Sequence, residues 1–239
     1  MTTNTPIIPD QELFPLLQSI KNKKLRIYAT LLYYLAARAG ELMPYQHYKT
    51  FYKKDEQGKL LRDENNRGIM LHKIMKNESP GVKVSTIEIM NNGIQFNSLP
   101  VFKAKEIKEK TGFVQKKDNP LYNDVLSYVL ERKELQEKEN KIAEHSDVPP
   151  KIIYLFDKDY PEETREQYFW RIRKRLYRIM YKQGYRIHSL RKTRLSQAGN
   201  ISGDPFYVKS LSGHATINMA DEYVQGKNLR DMMKKYEGI

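Results

Sequence analysis

His188-Ser189-Leu190-Arg191-Lys192-Thr193 and Leu211-Ser212-Gly213-His214-Ala215-Thr216-Ile217-Asn218-Met219-Ala220-Asp221-Glu222-Tyr223-Val224 are the two runs on which the reading of this chain turns. Arg191 follows His188 by three residues, His214 follows Arg191 by 23, and Tyr223 follows His214 by nine. A spacing of three places His188 and Arg191 on one helical face and leaves Leu190 to point into a core. Far upstream, Ala36-Ala37-Arg38-Ala39-Gly40-Glu41-Leu42 adds a second arginine just beyond an apolar run of helical period. Taken singly, each residue has an ordinary reading. Arg38 is a helix C-terminal charge favoured by the dipole, His188 a structural histidine and Tyr223 a packing residue. Together they form an ordered set of cations, hydrogen-bond donors and one nucleophile.

That order and those intervals resemble the tyrosine recombinase (phage integrase) family, whose motif runs Arg, Lys, His-x-x-Arg, His or Trp, Tyr. The resemblance extends over roughly residues 25 to 230. It implies that Tyr223 attacks a DNA phosphodiester, forms a 3′-phosphotyrosyl link and releases a 5′-hydroxyl. The transition state is strongly anionic, so fixed cations and donors around the nonbridging oxygens are the useful helpers. Arginine suits this role because its rigid fork grips phosphate and keeps its charge. The resemblance makes Arg38 and Arg191 the phosphate clamp, with His188 and His214 beside them. The family's general-acid lysine sits on a hairpin of a small sheet. Here His72-Lys73-Ile74-Met75-Lys76-Asn77-Glu78-Ser79-Pro80-Gly81-Val82-Lys83-Val84 offers Lys73, Lys76 and Lys83, and Lys76, which begins the apparent turn, is the expected acid. Lys192 stands where the family commonly has a second histidine, adding a possible phosphate contact.

The energy of the broken bond stays in the phosphotyrosine, so neither ATP, metal nor other cofactor is expected. The implied partner is double-stranded DNA, with self-association into a tetrameric synapse on it. The expected setting is a virus or mobile element. The same residues would serve a type IB topoisomerase or a telomere-resolving enzyme. A non-catalytic DNA-binding protein of the same fold is the alternative outside enzymes.

Composition agrees with a polyanion partner. Forty-two Lys and Arg against 29 Asp and Glu give a net charge of +13, which speeds encounter with DNA. With no cysteine, disulfides and thiolate metal sites are excluded and a reducing compartment is expected. The first ten residues lack the basic-then-apolar pattern of a leader, and no apolar run is long enough to span a bilayer. A cytoplasmic protein is expected.

Along the chain the fold class reads as mixed α+β, mainly helical, with a small antiparallel sheet. Residues 1–9 read as a loose arm, and a short helix is predicted over Gln11–Ile20. Leu25, Tyr28, Leu31, Leu32 and Leu35 predict a second helix ending near Gly40. Strands are predicted over Ile69–Ile74, Val82–Met90 and Ile94–Leu99, between turn signals. Helix resumes at Lys103–Lys110 and again at Leu121–Lys138. Pro161 opens a further helix to Lys182, with Phe169, Ile172, Leu176 and Ile179 as its apolar stripe. Arg171, Arg175 and Arg178 on that helix are candidate DNA contacts along with Lys192, because most positional contacts to a duplex are cations on phosphates. The expected organisation is an N-terminal arm and helix (1–24), a tyrosine recombinase catalytic domain (25–225) and a C-terminal docking helix (226–239). Only 24 residues precede that domain, fewer than the helical DNA-clamping domain usual in the family. A catalytic fragment or a minimal recombinase is therefore expected.

Overall fold

The computed structural model describes residues 5–101, 108–146, 148–213, 217–221 and 223–224, leaving aside the side chains of 46–50, 73–77, 108 and 221. Its central element is α2 (Lys23–Tyr34), where Asn22 caps the first turn by accepting from the Leu25 amide at 2.9 Å. Nine of its twelve residues are buried, as expected of a helix packed on every side. Around it lie α1 (Asp10–Gln18), α3 (Tyr122–Glu144), α4 (Arg165–Lys182) and α5 (Ile187–Ser202). α4 begins at a capping box in which Thr164 and Gln167 exchange side-chain and backbone bonds, worth about 1 kcal/mol. Phe169, Ile172, Leu176 and Met180 carry its buried stripe into the core shared with Tyr28 and Phe156. Two short helices, α6 (Pro205–Ser212) and α7 (Asn218–Asp221), follow α5.

The β-structure forms two sheets. β1 (Pro44–Tyr52) and β2 (Met70–Pro80) make an antiparallel pair, while β3 (Ile87–Met90), β4 (Gly93–Val101) and β5 (Lys108–Gln115) form a separate antiparallel sheet in that order. Between β1 and β2 the chain makes two similar tight turns. Asp55 accepts from the amides of Gln57 and Lys59, and Asp63 from those of Asn65 and Arg67. These Asx turns explain why Asp-Glu-Gln-Gly-Lys and Asp-Glu-Asn-Asn-Arg punctuate that stretch.

Mixed α+β architecture is found as expected, and three local expectations are corrected. Helix was expected over Lys103–Lys110, but Lys108–Gln115 is strand β5, paired along β4; 102–107 lie outside the described residues. The expected turn beginning at Lys76 is absent, because Met70–Pro80 runs as one strand. Residues 5–9 are no loose arm, and the first helix is packed into the same core as α2 and α5. Ile8 is fully buried and its amide donates to Thr193 Oγ1 of α5 at 2.9 Å, while Leu13, Leu17 and Ile20 join the main core. Burial of each such side chain contributes about 1.5–3 kcal/mol, enough to fasten a short segment.

Candidate active site

The site forms where α2 ends. Ala36 closes that helix in the left-handed region at φ 43°, a conformation costing roughly 1–2 kcal/mol for a residue with a Cβ. The chain then turns so that Arg38 and Glu41 face each other. Arg38 donates from Nη1 to Glu41 Oε1 at 2.9 Å and from its amide to Oε2 at 2.8 Å. Glu41 has no solvent exposure, whereas the Arg38 side chain keeps 24 %.

Arg191 reaches the same point from α5. It is buried, donates from Nη1 to the Ala36 carbonyl and from Nη2 to the Ser212 carbonyl at 2.9 Å, and lies 3.9 Å from Glu41 Oε2. Each Nη nitrogen carries a second hydrogen, so the fork keeps donors for an anion. Burial is the main cause pushing its pKa down to about 10, and Arg38 adds to it; Glu41 and Tyr223 act in the opposite direction. It stays a cation at neutral pH.

His188 occupies the first turn of α5, exposed. Desolvation lowers its pKa from the usual value, reinforced by the charges of Arg191, Arg38 and Lys192. A neutral imidazole therefore stands beside two arginines. Tyr223 is half-buried and packs with Ala36, Leu195, Ala198, Val208, Ala220 and Val224 in a second, smaller core. Its backbone lies on Gly199 of α5, where an added Cβ would collide with the Tyr223 carbonyl. The structure thus brings Arg38, His188, Arg191 and Tyr223 to one place. His214 lies outside the described residues.

Two members of this cluster were not among the sequence candidates. Glu41 is one. The other is Lys110 of β5, 8 % exposed, whose Nζ donates to the carbonyls of Leu35 (3.0 Å), Ala36 (3.3 Å) and Leu211 (2.8 Å) and lies 4.0 Å from Glu41. Burial lowers its pKa to about 7, with Glu41 opposing and the two arginines assisting. A signal existed in the alternation of Lys110, Gly112 and Val114, which all face inward on β5. The expected acid, Lys76, falls on β2 at a register shift opposite His47 and Tyr48, and Lys73 pairs with Thr50; their side chains lie outside what is described. Lys83 is exposed and bridges Tyr154.

Among the basic candidates, Arg171 is held by Glu163 in a two-bond pair (2.7 and 2.8 Å) and by Asp159 at 2.8 Å. Arg175 and Arg178 are exposed. Lys192 donates to the Thr5 carbonyl at 2.9 Å, fastening the N-terminal segment to α5. Among the described residues no group of three metal-binding side chains occurs, and no helix is long and apolar enough to cross a membrane.

No family model and no curated protein matches this sequence. Solved structures do match. The chain aligns with XerA recombinase over 99 % of its own length and 65 % of that chain, at 14 % identity and TM-score 0.53. It aligns with the XerH site-specific recombinase, bound to its palindromic difH substrate in a post-cleavage complex, over 98 % of its length and 53 % of that chain, at 14 % identity and TM-score 0.56. A pre-cleavage complex of XerH gives 92 % and 50 %, at 15 % identity and TM-score 0.51. The chain spans just under two thirds of the XerA chain and about half of the XerH chain. It has a tyrosine recombinase-like fold.

Proposed function

We propose that this chain is a site-specific DNA recombinase or integrase that cuts and rejoins strands through Tyr223. The observation that carries the reading is the charge arrangement at the end of α2. Arg38, Arg191 and Lys110 surround one buried carboxylate, Glu41. With Lys110 protonated, that leaves an excess of two positive charges among the described residues of the cluster. A phosphodiester enters with one negative charge and passes through a phosphorane with two, so the excess favours the transition state over the bound substrate. The phenolic oxygen of Tyr223 bonds to phosphorus as the bond from phosphorus to O5′ breaks. The phenol's proton needs an acceptor, and His188, neutral at neutral pH, is competent for it. The departing O5′ takes a proton from a general acid, a role that falls to a hairpin lysine. A second 5′-hydroxyl then attacks the phosphotyrosine and restores the phosphodiester. No step draws on an external energy source.

Double-stranded DNA is the partner in this reading, and the complexed states of XerH support it. Assembly into a tetramer through 226–239 belongs to the same reading; that segment lies outside the described residues. The test is a pool of duplexes randomised around a nick, from which the short 5′-terminal product diffuses away. Protein-linked DNA should be recovered and its sequences should converge. Tyr223→Phe should abolish the adduct, and an undiminished yield from that variant would remove the assignment.

A further inference from the structure

Two helices end within reach of one another at this site, and each end presents carbonyls that its own helix cannot satisfy. α2 offers Leu35 and Ala36, and α6 offers Leu211 and Ser212. Two buried cations span the gap. Arg191 takes Ala36 and Ser212, and Lys110 takes Leu35, Ala36 and Leu211. The stoichiometry on Lys110 is telling, since an ammonium has three N–H donors and finds three carbonyls. Lysine is almost never buried without partners, and here the partners are the negative ends of two helix dipoles. The lysine stem is also fitted to α6. A Cβ at Gly213, the left-handed residue that closes α6, would stand 3.5 Å from Lys110 Cδ and 2.8 Å from Val101 Cγ2.

We propose that Lys110 is a positioning residue that, together with Arg191, staples the end of α2 to the end of α6 and so fixes both the arginine fork and the Gly213 turn that closes α6. This rests on the strand-transfer reading above. Beyond its share of the local charge, Lys110 acts through Arg191 and the α6 turn, and touches no reacting atom. The staple needs the ammonium, because a neutral amine has two donors for three carbonyls. Among the described residues, the charged groups facing it are Glu41 and Arg38 from the turn after α2 and Arg191 from α5; α6 contributes carbonyls. Its lowered pKa places loss of the staple near neutrality.

The test uses the full chain and the nicked-duplex pool. Lys110→Met keeps the stem and removes the charge. Adduct formation should fall by up to roughly a hundredfold, the scale of a misplaced catalytic group, with DNA retention preserved. The wild-type rate should decline as pH rises through neutrality, and Lys110→Met should lack that decline. The chain has no cysteine, so Lys110→Cys can be alkylated with 2-bromoethylamine at that one position, under denaturing conditions before refolding. The resulting thioether amine should restore the rate and, being more acidic than lysine, move the decline to lower pH. Melting without DNA gives the opposite sign. Above the folded-state pKa the unfolded chain binds the extra proton, so wild-type stability should rise between about pH 7 and the ordinary lysine range, and the Lys110→Met curve should not. Activity that falls while stability rises is not produced by general unfolding. A Lys110→Met chain with the wild-type rate and pH decline overturns the proposal. A wild-type chain giving no adduct overturns the strand-transfer reading, and the melts then decide whether Lys110 joins the helix ends: identical wild-type and Lys110→Met curves would end that idea too.

Discussion

Glu41→Gln is the most discriminating single change at this site. The carboxylate is fully buried, bonds Arg38 twice at 2.8 and 2.9 Å, and lies 3.9 Å from Arg191 and 4.0 Å from Lys110. At an effective dielectric near 20, a unit pair about 4 Å apart interacts by roughly 4 kcal/mol. Losses measured on breaking buried ion pairs run to about 3–5 kcal/mol, because the surviving charge is left without compensation. Glutamine keeps an oxygen for the Arg38 amide, so the lower end, about 3 kcal/mol, is expected. For a chain of this size that lowers Tm by about 6–12 °C.

The same change raises the excess among the described residues of the cluster to three positive charges. Sulfate should then stabilise Glu41→Gln more than it stabilises the wild type, with chloride at matched ionic strength as the control. Adduct formation on the nicked pool should drop even so, because Arg38 loses the partner that aims it. Thermal melts with and without sulfate, run beside the adduct assay, measure all three effects. If Glu41→Gln melts within about 2 °C of the wild type and forms adduct at the wild-type rate, then Glu41 is not the counterion that organises this cluster.

Gly199→Ala tests the seat of Tyr223: alanine is the better helix former by about 0.5–1 kcal/mol, but its methyl would run into the Tyr223 carbonyl, a backbone collision that outweighs the gain. Melting temperature and adduct yield should therefore both fall, and an unchanged yield would mean that Tyr223 is not seated on α5 when it reacts. Arg191→Ala should impair cleavage and religation alike by about a hundred- to a thousandfold. A 5′-bridging phosphorothioate, whose sulfur leaves without a proton, should rescue the variant that lacks the acid and should not rescue Arg191→Ala. Testing Lys76, Lys73 and Lys83 beside Lys103 and Lys105, which lie between β4 and β5 in sequence, identifies that acid. On α4, Arg175→Ala and Arg178→Ala should each reduce the salt slope of DNA binding by about one. Arg171→Ala should instead lower stability with little change in slope, since Glu163 and Asp159 hold that side chain; a reduced slope would show that it reaches phosphate.

The legibility of the site in the sequence depends on the kind of signal each residue carries. Arg38, His188, Arg191 and Tyr223 are readable because their spacings are covalent facts, and the helix holding His188 and Arg191 needs only its own period. The helices α2 and α4 were likewise plain from Leu25 to Leu35 and from Phe169 to Leu176. β5 is not legible because Lys108-Glu109-Lys110 looks like a solvated helix until β4 is present to pair with it. Strand identity here is a tertiary property, set by a partner from residues 93–101. The hairpin is hard to place from sequence for a related reason. β1 and β2 come between α2 and the three-stranded sheet, and their turn residues resemble those expected of the sheet itself.

Glu41 and Lys110 illustrate the limit most clearly. Glu41 sits three residues after Arg38, an interval that on an unaligned chain reads as an ordinary surface ion pair. Its significance arises only when Arg191, 150 residues later, and Lys110, 69 residues later, converge on the same carboxylate. Local sequence specifies groups that act through period and spacing. It leaves silent those groups whose role is to compensate charges gathered from distant segments. Gathering cations inside a fold has a physical requirement: each buried arginine must be held by a carboxylate or a helix end. A site read from its reactive residues alone therefore lacks the groups that hold them in register. Among the described residues those groups include Glu41, Lys110 and the carbonyls at the ends of α2 and α6.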